Sequence, residues 1–261
     1  MKTIFIALAG EPLQKVLRRR LVFGTSPMKK DNECDLRKIA ASIAVLWDPL
    51  TDAQRNYLVD SMEVKVYEKN EVIYREHEEP QCLMCLLDGK VKVYKEGIGS
   101  GTQIIRMIKE QSFFGYRAAF VEENYHTSAA ALECCTICLI PFETIFCLIR
   151  ENNRVAIFFI KQLAMMLGDA DTLTVNLTQK HLRGRLAEAL VALKDKYGVE
   201  EDGATLSIYM SREDMACMSN MTTSNAIRTL SAFATEHLVA IDGKKIKILE
   251  DNKLRNISQM G

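Results

Sequence analysis

The chain carries no excess charge of either sign: its 34 lysines and arginines are matched by 34 aspartates and glutamates. A global polycation is thereby excluded, so any nucleic-acid contact must come from charge clustered locally. No apolar run approaches the length needed to span a bilayer. The stretch "IFIALAG" near the start is too short, and followed by the wrong charges, for a secretory signal. These absences predict a cytoplasmic protein with no membrane partner, in which the eight cysteines are thiols. Nor does any nucleophile–base pair, metal-ligand helix or phosphate-binding loop fall at a usable spacing, which argues against an enzyme and against a metal site.

What is present suffices for about two domains: 261 residues, 48% of them hydrophobic. Residues 1–30 show neither a period nor a cap and read as an extension. Met28 is a candidate start, which an intact mass including residues 1–27 would refute. From 31 to 58 the pattern is helical, with Leu36, Ile39, Ile43 and Leu46 on one face and Thr51 as a cap after Pro49. The period then changes to two. "EVKVYE", "EVIYRE", "QCLMCLLDG", "KVKVYKEG", "QIIRMIKEQ", "YHTSAAALE" and "CTICLIP" are strand candidates, separated by turn residues such as Lys69-Asn70, Asp88-Gly89 and the 97–101 segment. Short strands so spaced indicate an antiparallel barrel or jelly roll able to enclose a small ligand, over residues 31–150. After Pro141 the helical period returns. Over 154–179, Val155, Phe159, Leu163, Met166, Ala170, Leu173 and Leu177 keep a three-or-four spacing, as a homodimer seam would, and 151–179 is assigned as a dimerisation helix.

The C-terminal unit, 180–261, contains two short helices and a hairpin. Ser211 and Asp214 form a capping-box-like pair, and that helix should run to about Met218. Asn220 suits a left-handed turn, and Thr222 is the next cap. In the second helix Ile227, Leu230 and Ala234 are spaced to pack inward, while Ser224, Arg228 and Ser231 share the outer side. Asp242-Gly243 between two short strands marks a tight turn. Helix, turn, helix and hairpin is the order of a winged helix-turn-helix, whose second helix enters the major groove of double-stranded DNA. The candidate DNA-contacting residues are Thr222, Thr223, Ser224, Asn225 and Arg228, with Lys244 and Lys245 on the wing. Asn pairs bidentately with adenine and Arg with guanine. Lys180, Arg183, Arg185, Lys194 and Lys196 add a modest phosphate-facing surface.

Barrel, long helix and winged helix-turn-helix, in that order, resemble the CRP/FNR (catabolite activator and fumarate–nitrate regulator) superfamily of bacterial transcription factors. The resemblance covers about residues 35–250 and is carried by "MSREDMACMSNMTTSNAIRTLSAFATEHLVAIDGKKIKI", by Gly89 and Gly115, and by "SFFGYRAAFVEENYHTSAAALECCTICLIP", which is similar to the family's phosphate-binding cassette. It implies an α+β fold with a cyclic-nucleotide-binding-like roll, a homodimer, a palindromic operator and RNA polymerase as a partner. It also places the effector pocket at Phe114, Gly115, Tyr116, Arg117, His126, Thr127, Ala170 and Asp171.

The departures from the family concern the effector. Tyr116 and His126 stand where members that bind cyclic AMP have a glutamate and an arginine, and Ala170-Asp171 replace the hydroxyl pair that meets adenine. A neutral group cannot replace a charge-assisted phosphate contact, which argues against cyclic AMP. Cys82, Cys85, Cys134, Cys135 and Cys138 sit in strands, where residues three apart point to opposite faces, so they read as structural thiols rather than cluster ligands, although Cys134 and Cys138 share a face. His77, His126 and Met165-Met166 are candidate axial ligands that leave haem as an alternative effector. A second function class, a ligand-binding module whose C-terminal helices dock a protein, would require exposed apolar anchors on the outer face of the second helix.

Overall fold

In a computed structural model of the chain the described residues are 30–97 and 101–261. Met28 and the rest of 1–29 lie outside them, as do residues 98–100 of the expected 97–101 turn and the side chain of Cys34. Three helices come first: α1 (Lys30–Ser42), α2 (Ala44–Trp47) and α3 (Asp52–Ser61). α3 begins as its sequence indicates, because the Thr51 hydroxyl accepts from the Gln54 N–H while the Thr51 N–H donates to the Gln54 side chain. This reciprocal pair satisfies two of the orphan donors of the first turn.

The strands β1 (Glu63–Tyr67), β2 (Val72–Tyr74), β3 (Cys82–Asp88), β4 (Val91–Glu96), β5 (Thr102–Ile108), β6 (Ser112–Phe114), β7 (Ser128–Ala131) and β8 (Cys135–Pro141) follow, with a one-turn helix α4 (Arg117–Phe120) after β6. They form two antiparallel four-stranded sheets, ordered β1-β8-β3-β6 and β2-β7-β4-β5. The expected roll is thus present. β6 and α4 were not separable in the sequence because elements of three or four residues leave no measurable period. Between β3 and β4, Gly89 adopts φ +93°, and a Cβ there would lie 2.6 Å from the Cys134 carbonyl oxygen, so the turn requires glycine.

After α5 (Phe142–Glu151) the chain enters the long helix α6 (Asn153–Gln179). Asn152 starts it: its side-chain oxygen accepts from the Arg154 N–H at 3.1 Å, and its Nδ2 donates to the Pro49 carbonyl at 2.8 Å and to Gln54 Oε1 at 3.1 Å. The same amide therefore caps α6 and binds it to the region around α3. The first four residues of the stripe expected to form a dimer seam face the chain's own roll. Val155 and Phe159 are buried, and Leu163 and Met166 pack partly buried on the same core. Phe159 sits with its ring centroid 5.5 Å from Tyr116, 5.2 Å from Phe120 and 5.1 Å from Phe158. The roll offers an aromatic surface that this stripe fills, and spacing alone cannot tell which neighbour a stripe will meet. Ile157, Ile160, Met165, Leu167 and Val175 are left exposed along the rest of α6.

The C-terminal unit consists of α7 (Leu182–Tyr197), α8 (Arg212–Met218), α9 (Thr223–Thr235), a hairpin of β9 (Val239–Asp242) and β10 (Lys245–Ile248), and α10 (Asp251–Met260). Ser211 caps α8, accepting from the Asp214 N–H at 2.9 Å and donating to its carboxylate at 2.6 Å. Asn220 takes φ +47° in the turn, and the Thr222 hydroxyl accepts from the Asn225 N–H at 3.2 Å to start α9. The hairpin turn falls one residue later than expected: Asp242 pairs with Lys245, so Gly243-Lys244 form the loop. Ile104, Met107 and Leu132 of the roll share one core with Leu186, Leu190, Met215 and Phe233, which docks the unit on its own roll. Lys92 of β4 pairs with Asp214 of α8, and the Tyr197 hydroxyl donates to the Ile108 carbonyl at 3.1 Å. Among the described residues no helix is long and apolar enough to cross a membrane.

α10 is held on α7 by charge. Arg255 spans Asp195 and Asp251, and Lys194 reaches Asp251 at 2.9 Å. The hydrogen bond from Arg255 holds Asp195 below the usual aspartate value of 3.8, and that from Lys194 does the same for Asp251. Both carboxylates are depressed in the folded state, so their contribution is complete above about pH 4 and is lost as pH falls through the folded values. Arg255→Ala should cost about 1 kcal/mol in urea unfolding near neutrality, and the difference from wild type should shrink as pH falls below about 4. A difference independent of pH would show that the loss is packing rather than charge.

Candidate effector cavity and nucleic-acid interface

A cavity of about 680 Å³ lies between the second sheet, α4, the middle of α6, and the α7 and α8 helices. Six of the eight sequence-placed effector residues line it: Gly115, Tyr116, Arg117, His126, Thr127 and Ala170. Two do not. Phe114 is fully buried in the roll, stacked toward Tyr74 at 6.4 Å, because β6 alternates and turns it inward. Asp171 is exposed on the far side of α6, where the helical turn presents Asp169, Ala170, Thr172 and Leu173 instead. Reasoning from sequence missed Arg106, Tyr125 and Lys196. An arginine inside the otherwise apolar run "QIIRMI" was the available signal for Arg106. Lys196 was assigned to a phosphate-facing surface, yet it lines this cavity.

Tyr116 is the joint between roll and helix. Its ring is buried, and its hydroxyl donates to Met166 Sδ of α6 at 3.1 Å. Burial raises its pKa, opposed by the Arg106 guanidinium beside it. Tyr125 is stacked on Tyr74 at 3.9 Å between centroids, and its buried hydroxyl has no partner among the described residues. That oxygen would be 3.4 Å from a Cβ on Gly115, so the glycine keeps the space beside it open. A buried hydroxyl left unmatched costs about 1–3 kcal/mol. Lys196 is depressed by burial and by the nearby cations Arg106 and Lys109, with Asp169 acting in the other direction.

The remaining polar candidates are committed elsewhere. His126 is half-exposed and bonded to Glu123 at 2.6 Å, His77 is not part of the cavity wall, and the Met166 sulfur already accepts from Tyr116. No pair of axial ligands for haem is therefore assembled. Cys85 and Cys138 face each other across β3 and β8, and burial pushes both thiols up to about 12, well away from the reactive thiolate. Cys134 and Cys138 do not share an environment: Cys134 precedes the strand and is exposed, while Cys138 is buried. Among the described residues no group of three or more His, Cys, Asp or Glu is placed to hold a metal ion.

α9 presents Thr223, Ser224, Arg228 and Ser231 outward next to exposed Thr222, with Asn225 half-buried and bonded to Arg228. One expectation is corrected. Ile227 does not pack inward but is 45% exposed, and Ala226, Leu230 and Phe233 form the buried side. The basic residues are also less available than counting suggests. Lys180 pairs with Glu188, Arg183 with Glu236, Lys194 with Asp251, Lys247 with Asp202 and, at 3.8 Å, Lys245 with Glu200. Lys244 sits at the tip of the wing, where the Gly243 carbonyl beside it accepts from Arg212 at 2.6 Å.

The ligand-sized cavity is walled in part by Met218, the last residue of α8, the first helix of the helix-turn-helix. Residues 64–152 match the cyclic nucleotide-binding domain and residues 184–257 the Crp-like helix-turn-helix domain. The chain is 22% identical over 190 residues to the global nitrogen regulator of Nostoc sp., spanning 71% of this chain and 84% of that one. It is 23% identical over 202 residues to the cAMP-activated global transcriptional regulator CRP of Pasteurella multocida, spanning 77% and 96%. In fold it is similar to FixK2 from Bradyrhizobium japonicum, with TM-score 0.69 and 21% identity over 75% of this chain and 96% of that one. The chain belongs to the CRP/FNR superfamily and is a transcriptional regulator of that type, within a non-enzymatic family of dimeric DNA-binding proteins.

Tyr125→Phe should raise stability by about 1 kcal/mol in denaturant unfolding, because it removes a buried group that lacks a partner. A loss of stability would mean that the hydroxyl is hydrogen-bonded in solution.

Proposed function

We propose that this chain acts in the cytoplasm as a homodimer in which occupancy of the cavity alters how the two α6 helices pair, and so the spacing and angle of the two α9 helices on a palindromic operator. The observation that carries this reading is the composition of the cavity wall: one space touches the roll, α6, α7 and the end of α8. The exposed flank at Ile157, Ile160 and Leu167 supplies an apolar surface for pairing two copies of α6. In this reading Asn225 and Arg228 reach base edges, and Thr222, Thr223 and Ser224 make less selective contacts. Lys244 and Lys245 approach phosphates from the wing. Ile227 adds an apolar contact of the kind that reads a thymine methyl group. RNA polymerase is the further partner expected of a regulator of this type.

Two-fold symmetry sets half-site centres about one helical turn apart. Purified dimer should retain dyad-symmetric fragments from a genomic library, identified by sequencing. Arg228→Ala should cost about 1–3 kcal/mol on the selected site and relax discrimination at one position of each half-site. Retention without sequence preference would refute the operator reading. An Arg228→Ala loss that is equal on all sequences and weakens with salt would reassign that residue to phosphate.

A further inference from the structure

We infer that the cavity takes an organic anion with an apolar body, its acid group held among Arg106, Arg117 and Lys196 and its body against the apolar wall. This rests on the reading of the cavity as the effector site. The three cations come from three different elements, β5, α4 and α7, and converge on one space. Among the described residues none of them is engaged in a salt bridge, unlike Lys90, Lys92, Lys180, Arg183, Lys194 and Arg255. Two carboxylates line the same space. Glu188 is already bonded to Lys180 and Ser258, which leaves Asp169 against three positive charges. Burial first, and then the positive charges of Arg106 and Lys109, disfavour the charged form of Lys196. An anion entering the cavity would favour that form.

The Tyr125 hydroxyl is the second, independent sign. It is a buried polar atom with no partner, beside a glycine that keeps its approach clear, and it fits an acceptor oxygen on the ligand. The rest of the wall argues for the apolar body. Val93, Ile104, Leu163, Leu173, Leu193 and Met218 are among the apolar residues that line it. The nearby hydroxyls are engaged: Thr127 with Tyr74, Thr172 with the Gly168 carbonyl, and Tyr116 with Met166. A sugar or purine would bury hydrogen-bonding groups against carbon, at a cost that an alkyl or aryl group does not meet.

The test is calorimetric titration of the full chain with decanoate and naphthoate, each beside its neutral alcohol, and with cyclic AMP. Each acid should bind at least about tenfold more tightly than its alcohol, the scale of one charge-assisted contact. Arg106→Gln should remove that advantage and leave alcohol binding unchanged. Tyr125→Phe, which is expected to fold with undiminished stability, should weaken the acid severalfold. Equal affinity for acid and alcohol would overturn the inference, as would cyclic AMP binding more tightly than both acids, or no binding of either acid at about millimolar concentration. The regulatory reading is judged separately, by operator affinity with each ligand present. A ligand of another class that binds and changes operator affinity would refute the anion and leave the regulator intact. An acid that binds as expected without changing operator affinity would support the anion and refute the cavity as the control site.

Discussion

The contact between Tyr116 and α6 is the constraint on which the rest of the molecule depends. The Tyr116 ring packs on Phe159 and its hydroxyl bonds Met166, two positions about two turns apart on one face of the helix. Edge-to-face aromatic pairs contribute about 0.5–1.5 kcal/mol beyond the area they bury, and several share Phe159. The first half of α6 is thereby fixed to the roll. Its second half, past Met166, has no buried residue and runs beside the cavity. A ligand in that space would meet the helix at the boundary between its anchored and its free part, where a small change in packing is carried furthest along a rigid rod.

A neutral chain has to place its charge, and this one divides it by role. In the C-terminal unit the cations are mostly used to hold structure together: Arg255 and Lys194 dock α10, Arg183 ties α7 to the end of α9, and Lys92 with Asp214 joins the unit to the roll. Among the described residues the cavity cations Arg106, Arg117 and Lys196 form no salt bridge, and Arg106 sits beside the Tyr116 hydroxyl. This division explains why counting basic residues along 180–196 overstated a phosphate-facing surface. On the proposed reading it leaves a small outer area of α9 and the wing tip for DNA. The Lys92–Asp214 pair has a further role, because Asp214 also closes the cap of α8, so the link between roll and reader is built on the first turn of the helix-turn-helix itself.

The fold was largely legible in advance, element by element. The capping residues Thr51, Ser211 and Thr222 act through bonds to atoms three residues away, and the left-handed Asn220 and the alternation along β3 and β8 are equally local. The site was legible in part. The segment around Gly115 and Tyr116, placed in the pocket by its resemblance to the family's phosphate-binding cassette, does line the cavity. Arg106 and Lys196 were not found, since they lie about ninety residues apart in the chain and meet only after the C-terminal unit docks on β4 and β5.

By itself the amino-acid order determined the caps at Thr51, Ser211 and Thr222, the turn at Asn220, and the presence of a roll, a long helix and a winged helix-turn-helix. Each of those rests on interactions between residues a few positions apart, or on a period that repeats along one segment. Only the tertiary structure decided which flank of α6 met the roll and which was left exposed, and it alone turned Ile227 outward over Ala226. It also decided that Arg106, Arg117 and Lys196 share one cavity. A helix with apolar residues on two flanks satisfies its own period whichever flank is buried, and the choice falls to the shape of the surface it packs against, here the rings of Phe113, Tyr116 and Phe120 around Phe159.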